Sequence, residues 1–183
     1  MAVSSSPVLL MVDGYNVIGA WSDLAQIRDR DGLEFARQDL IAALINYAAI
    51  EGYKTEIVFD AHYQNTPGRS EIITPDVSVY YTAYAQTADT YIEKACAGFF
   101  SGNPTNLSRL IVATSDQAQK LTAIGYGAQW VSAQKLSAQV EQAKKRSQRQ
   151  QRSRQRSRGR FLFNSLDEEA QKRLLEWRKK GQL

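Results

Sequence analysis

Hydrophobic and polar positions along the chain alternate between two periods. Val8-Leu9-Leu10-Met11-Val12 is an unbroken apolar run that stops at Asp13-Gly14. A run of that length ending on turn residues predicts a strand covered on both faces, as in a parallel sheet. From Leu33 to Glu51 the apolar positions Leu33, Leu40, Ile41, Leu44, Ile45 and Ala48 follow a helical period, and Gly52 closes it. Thr55 to Phe59 is a second strand, ended by Asp60. Residues 61–76 are polar, contain Pro67, Gly68 and Pro75, and read as a long loop.

Val77 to Thr82 is β-branched and aromatic, which predicts a third strand. Ala88 to Gly98 reads as a helix, and Arg109 to Ala113 as a fourth strand ended by Thr114-Ser115-Asp116. Gln117 to Ile124 is expected to be a short helix closed by Gly125, and Ala128 to Val131 a fifth strand. Strands and helices alternate, so the pattern predicts an α/β domain with a mostly parallel sheet of about five strands. From Ser132 the pattern is helical again.

Charge changes this picture in one respect. The chain has 183 residues and a net charge of +4. Residues 1–143 hold 9 Lys/Arg and 15 Asp/Glu, a balance of −6, and residues 144–183 hold 14 and 4, a balance of +10. With the pattern helical from Ser132, a domain over residues 1–135 and a basic, mainly helical extension over 136–183 are expected. Lys144 to Arg160 carries nine Lys/Arg with Ser, Gln and one Gly, and no apolar residue. Such a segment has nothing to bury and is suited to phosphate backbone, with Lys144, Lys145, Arg146, Arg149 and Arg152 as contacts. The same composition also suits a solvated linker. Ser165-Leu166-Asp167-Glu168 has the spacing of a capping box and predicts one more helix.

Cys96 is the single cysteine, which excludes an internal disulfide framework and a Cys-rich zinc site. It is expected to be a buried helix residue. The first residues lack the basic and long apolar parts of a signal peptide, and no early apolar run is long enough to span a membrane. The protein is expected to be soluble and cytoplasmic, with no membrane partner.

The candidate chemistry lies in where the acids fall. Asp13, Asp60 and Asp116 each follow a predicted strand directly, and Asp89 opens the helix after the third. In an open parallel sheet the carboxyl ends of the strands line the ligand crevice. Glu93 is one turn beyond Asp89 on the same helical face. Clustered carboxylates repel one another and call for a cation, and hard oxygen ligands suit Mg²⁺ or Mn²⁺. Such a site favours phosphodiester hydrolysis. Asp after a strand is also a common turn residue, and Glu93 could equally pair with a base.

Asn16 follows Asp13 closely and has three open roles: holding water, holding substrate phosphate, or capping a turn. Ser115 and Thr114 are candidates to orient Asp116 or bind phosphate. His62, the only histidine, is a candidate phosphate contact or an ordinary loop residue. An aspartyl phosphotransferase would want a second Asp two residues after Asp13, where Tyr15 stands. Gly125-Tyr126-Gly127 follows a helix and precedes a strand, the wrong context for dinucleotide binding.

Val12-Asp13-Gly14-Tyr15-Asn16 resembles the opening motif of NYN-domain nucleases of the PIN-like superfamily. With Phe59-Asp60-Ala61-His62, Thr87-Ala88-Asp89, Ile92-Glu93 and Ala113-Thr114-Ser115-Asp116, the resemblance narrows to the YacP-like NYN family. It spans about residues 8–135. It implies a PIN-like three-layer α/β/α fold and a divalent-metal endoribonuclease acting on single-stranded RNA, including messenger or ribosome-bound RNA. The family's acidic positions fall on Asp13, Asp89 and Asp116, with Asp60 close by, and its loop asparagine on Asn16. Gln86 departs from the pattern, since related sequences often carry an acid there. The resemblance covers neither the Arg-rich segment nor the last helix. A non-catalytic RNA- or ribosome-binding module on the same fold is the competing expectation.

Overall fold

The computed structural model describes residues 7–60, 67–101 and 106–164, with side chains through residue 153. His62 and the capping box at Ser165 lie outside the described residues. The strands are β1 (Val8–Asp13), β2 (Tyr53–Phe59), β3 (Arg69–Thr74), β4 (Val77–Tyr81), β5 (Arg109–Ala113) and β6 (Gln129–Val131). The helices are α1 (Gly14–Ala20), α2 (Ser22–Asp31), α3 (Leu33–Glu51), α4 (Ala88–Phe100), α5 (Gln117–Tyr126) and α6 (Ala133–Asn164).

The sheet order is β3-β4-β2-β1-β5-β6. Every pairing is parallel except β3 with β4. β1 lies in the middle and is buried along nearly its whole length, as its apolar run requires. Alternate residues feed opposite faces. Leu10, Val12, Ile57 and Phe59 pack with Leu40, Leu44 and Leu136, while Met11, Val58, Leu110 and Val112 pack with Ile92, Cys96 and Ala123. Helices therefore cover both faces, giving three layers.

Three expectations are corrected. The sheet has six strands, because the segment read as loop contains β3. β3 is an edge strand held by its backbone ladder to β4, with Ile72 79% exposed, so it lacks the alternating burial that would betray it in sequence. α5 runs to Tyr126 and closes at Gly127, whose φ of 101° is the left-handed conformation glycine permits, rather than at Gly125. The first compact unit reaches Lys144, beyond the expected limit at 135, and Leu136, Val140 and Ala143 of α6 are buried in its core. Residues from Lys145 form the second unit. The helices α1 and α2, absent from the sequence reading, are short, at 7 and 10 residues.

A Cβ at Gly14 would stand 2.2 Å from the Phe59 ring, so only glycine fits the turn from β1 into α1. Trp21 Nε1 donates to the Ala133 carbonyl at 2.7 Å, tying the α1–α2 junction to the start of α6.

Candidate active site

Two chain reversals meet at the centre of the sheet. From β1 the order runs through β2 and β4 on one side and through β5 and β6 on the other. The crevice between the carboxyl ends of β1 and β5 is thus the topological switch point, where α/β sheets place ligands. Asp13 ends β1, Asp116 follows β5, Asp60 follows β2, and Asp89 stands in the first turn of α4.

Three of these acids also perform a local duty. Asp13 caps α1 by accepting the Asn16 N–H at 3.2 Å. Asp116 caps α5 by accepting the Gln119 N–H at 2.9 Å. Asp60 accepts the Ala88 N–H at the start of α4. Helix N-termini favour carboxylates, so sequence preference for a cap and placement at the sheet edge coincide.

The carboxylates act on one another. Burial pushes the Asp13 carboxyl up to about 6, and the charges of Asp89 and Asp60 add to it, against the opposing effect of the Asn16 N–H and Gln119. Asp89 is raised by burial first, then by Asp116 and Asp60. The four acids therefore form one electrostatic group. Glu93 lines a shallow cleft with Asp89, Cys96, Gln119 and Thr122. Its charge falls on Cys96, whose thiol is pushed up to about 11, chiefly by burial.

Asn16 makes a cross-loop bond. Its Oδ1 accepts the Ser115 N–H at 2.7 Å, joining the loops after β1 and β5. Ser115 Oγ in turn accepts the Ala133 N–H at 3.2 Å and donates to Gln134 Oε1 at 3.1 Å. Thr114 Oγ1 accepts the Asp116 N–H at 3.0 Å and so orients that acid. Lys144, Lys145, Arg146, Arg149 and Arg152 are exposed on α6.

Sequence reasoning missed Gln119. Its Nε2 donates to Asp89 Oδ1 at 2.5 Å, and the amide helps to hold the nearby Asp13 carboxyl down against the effect of burial. Its Oε1 is buried without a partner among the described residues. The available signal was its place three residues after a capping Asp, facing back toward the sheet edge. An aromatic row beside the acids was also missed: Tyr15, Phe59 and Tyr81 have successive ring centroids 5.1 and 5.8 Å apart, and Arg37 donates to the Tyr15 hydroxyl at 2.8 Å.

Among the described residues no group of three or more His, Cys, Asp or Glu is already gathered to hold a metal ion. Asp13, Asp89, Asp116 and Glu93 are thus not a ready ligand set, and the Gln119 amide occupies Asp89. The donor chemistry still fits a hard divalent cation. It offers a buried carboxylate that resists ionisation alone, a second one beside it, and an amide oxygen lacking a partner.

The central mostly parallel sheet with helices on both faces is an NYN/PIN-like fold. The chain belongs to the YacP-like NYN domain family, whose family model matches residues 10–179. It is 33% identical over 172 residues to YacP of Bacillus subtilis (strain 168), covering 93% of this chain and 96% of that one. The crystal structure of Rae1 (YacP) from Bacillus subtilis is similar at a TM-score of 0.64 and 31% identity, over 93% of this chain and 94% of that one. A tryptophan-to-leucine variant of the same protein gives 0.66 and 30%, over 91% and 97%.

Proposed function

We propose that the protein is a divalent-metal-dependent endoribonuclease that hydrolyses phosphodiester bonds of single-stranded RNA at the β1–β5 crevice. The observation that carries this reading is the buried Asp13, held at the switch point in electrostatic contact with Asp89 and Asp60. A cluster of acids in one crevice works against its own ionisation unless a cation joins it. Asp13 and Asp89 would hold Mg²⁺ or Mn²⁺, with Asp116 and Asp60 close around them. The chemistry such a cation supplies is activation of water and neutralisation of charge developing on the phosphodiester. Asn16 and Ser115 fix the two loops that flank the crevice, and Thr114 fixes Asp116.

The acidic crevice repels RNA, so the exposed cations of α6 supply the opposing attraction through phosphate contacts. RNA, free or on the ribosome, is the proposed partner and the cytoplasm the proposed location. Among the described residues no helix is long and apolar enough to cross a membrane.

One observation favours a second reading, a non-catalytic RNA-binding module: Asp13, Asp60 and Asp116 all serve as helix-end acceptors. Cleavage of a single-stranded RNA with Mn²⁺ or Mg²⁺, with and without chelator, separates the two. The nuclease reading expects cleavage that chelation abolishes and that Asp13→Asn and Asp116→Asn each reduce at least a hundredfold. Equal cleavage by all three proteins would reject it.

A further inference from the structure

Gln119 is in the first turn of α5, three residues after its capping residue Asp116. A glutamine there ordinarily closes a capping box by accepting the N–H of the capping residue. Here that N–H already donates to Thr114 Oγ1 at 3.0 Å. The side chain is released from the helix end and turns to the acids instead. Its Nε2 donates to Asp89 at 2.5 Å, and its polarity also acts on the nearby Asp13 carboxyl. The residue is only 6% exposed, and its Oε1 has no partner among the described residues.

A buried carbonyl oxygen without a partner costs about 1–3 kcal/mol, and a leucine or methionine would fill the volume without that cost. The amide is therefore of use in both orientations. We propose that Gln119 is a reversible cation ligand: its NH₂ group donates to Asp89 when the site is cation-free, and a half-turn of the amide presents Oε1 to a divalent cation bound beside that carboxylate. The inference rests on the metal-dependent reading of the crevice and adds a neutral ligand to it.

The physical basis is the amide's own symmetry. Its oxygen and nitrogen exchange places by rotation about the terminal side-chain bond, whose torsion is broad and roughly two-fold. In the cation-free state the partial positive charge of the NH₂ group lies against the Asp89 carboxylate. A bound cation repels that NH₂ group and attracts the carbonyl oxygen, a hard donor of the kind Mg²⁺ and Mn²⁺ accept. The oxygen lacking a partner in the cation-free state gains one, and the helix need not move.

The test uses the full-length protein with Mn²⁺ as probe, reading affinity by calorimetry and unfolding temperature with and without the ion. Gln119→Leu is expected to weaken Mn²⁺ binding on the order of tenfold or more, the scale on which supporting groups tune a metal site. Gln119→Glu keeps oxygen donors and is expected to bind Mn²⁺ at least as tightly as wild type, while its cation-free unfolding temperature falls because a further acid joins the group. Wild-type affinity in Gln119→Leu, or weakened affinity in Gln119→Glu, would overturn the proposal; the Glu variant decides it if the Leu variant does not fold. A wild type that binds no Mn²⁺ at all would sink the metal-dependent reading, and this inference with it. A wild type that binds Mn²⁺ beside an unaltered Leu variant would sink the ligand role alone.

Discussion

Asn16 Oδ1 accepts the backbone N–H of Ser115 at 2.7 Å, so two residues 99 positions apart hold the loops on either side of the crevice together. The link explains why an asparagine stands just after Asp13. Its backbone N–H goes to Asp13 and its side chain to the opposite loop. Asn16→Ala keeps the first bond and loses the second. It should lower stability by about 0.5–1.5 kcal/mol, the net contribution of one hydrogen bond whose exposed donor water can satisfy. Because the loops carry Asp13 and Asp116, kcat should fall more than RNA affinity. Thermal unfolding and single-turnover cleavage would check this; an unchanged kcat in a destabilised variant would make Asn16 merely structural.

The buried Asp13 gives the cation-free protein a pH dependence of definite sign. Its folded-state value of about 6 stands above the ordinary 3.8, so the folded state holds the proton more tightly than the unfolded chain. Stability from this group is full below about 4 and is lost as pH rises to about 6 and beyond. The loss amounts to about 3 kcal/mol. Unfolding in chelator should therefore show the wild type losing ground between pH 4 and 7 relative to Asp13→Asn. The Asn variant should be the more stable at pH 7.5 although inactive. Parallel pH profiles for the two proteins would contradict this origin.

Gly14 tests the packing under the crevice. An alanine there would bring its Cβ within 2.2 Å of the Phe59 ring, which is itself buried between Tyr15 and Tyr81. Overpacking of this kind costs about 1–3 kcal/mol. Gly14→Ala should lower the unfolding temperature, and pairing it with Phe59→Leu should recover part of the loss. The double-mutant cycle should show a coupling of about 0.5–3 kcal/mol between the two sites. Strict additivity would mean that the ring is not what excludes a side chain at position 14.

Much of this site was legible because its acids are tied to strand ends. The apolar runs Val8–Val12 and Thr55–Phe59 mark the strands, and Asp13 and Asp60 follow them directly, so the pattern placed both on one sheet edge. Burial carried the signal. β3 lacked that signal, since an exposed edge strand is held by backbone pairing and its side chains are free to be polar. Gln119 was illegible for another reason. Its meaning depends on Thr114 having taken the Asp116 N–H, which is a contest between hydrogen bonds that spacing does not reveal. The reach of the core to Ala143 was hard to read because Leu136, Val140 and Ala143 are thinly spread among polar neighbours on α6, although the change of charge falls at the same place.

The basic helix makes a prediction that charge alone can decide. Lys145, Arg149 and Arg152 are spaced four and three residues apart, the interval of a single helical stripe, and all three are exposed. If they bind phosphates of single-stranded RNA, each contact contributes about 0.7 to the slope of log affinity against log salt. Replacing all three by Gln should flatten that slope by about 2 and weaken binding at low salt far more than at high salt. No aromatic side chain is interleaved between Lys144 and Arg160, so base composition should matter little. Mn²⁺ affinity should stay at the wild-type value, since the stripe contributes no oxygen donor to the crevice. An unchanged salt slope would remove α6 from the proposed RNA-binding surface and leave any attraction of RNA to be explained by the first unit itself.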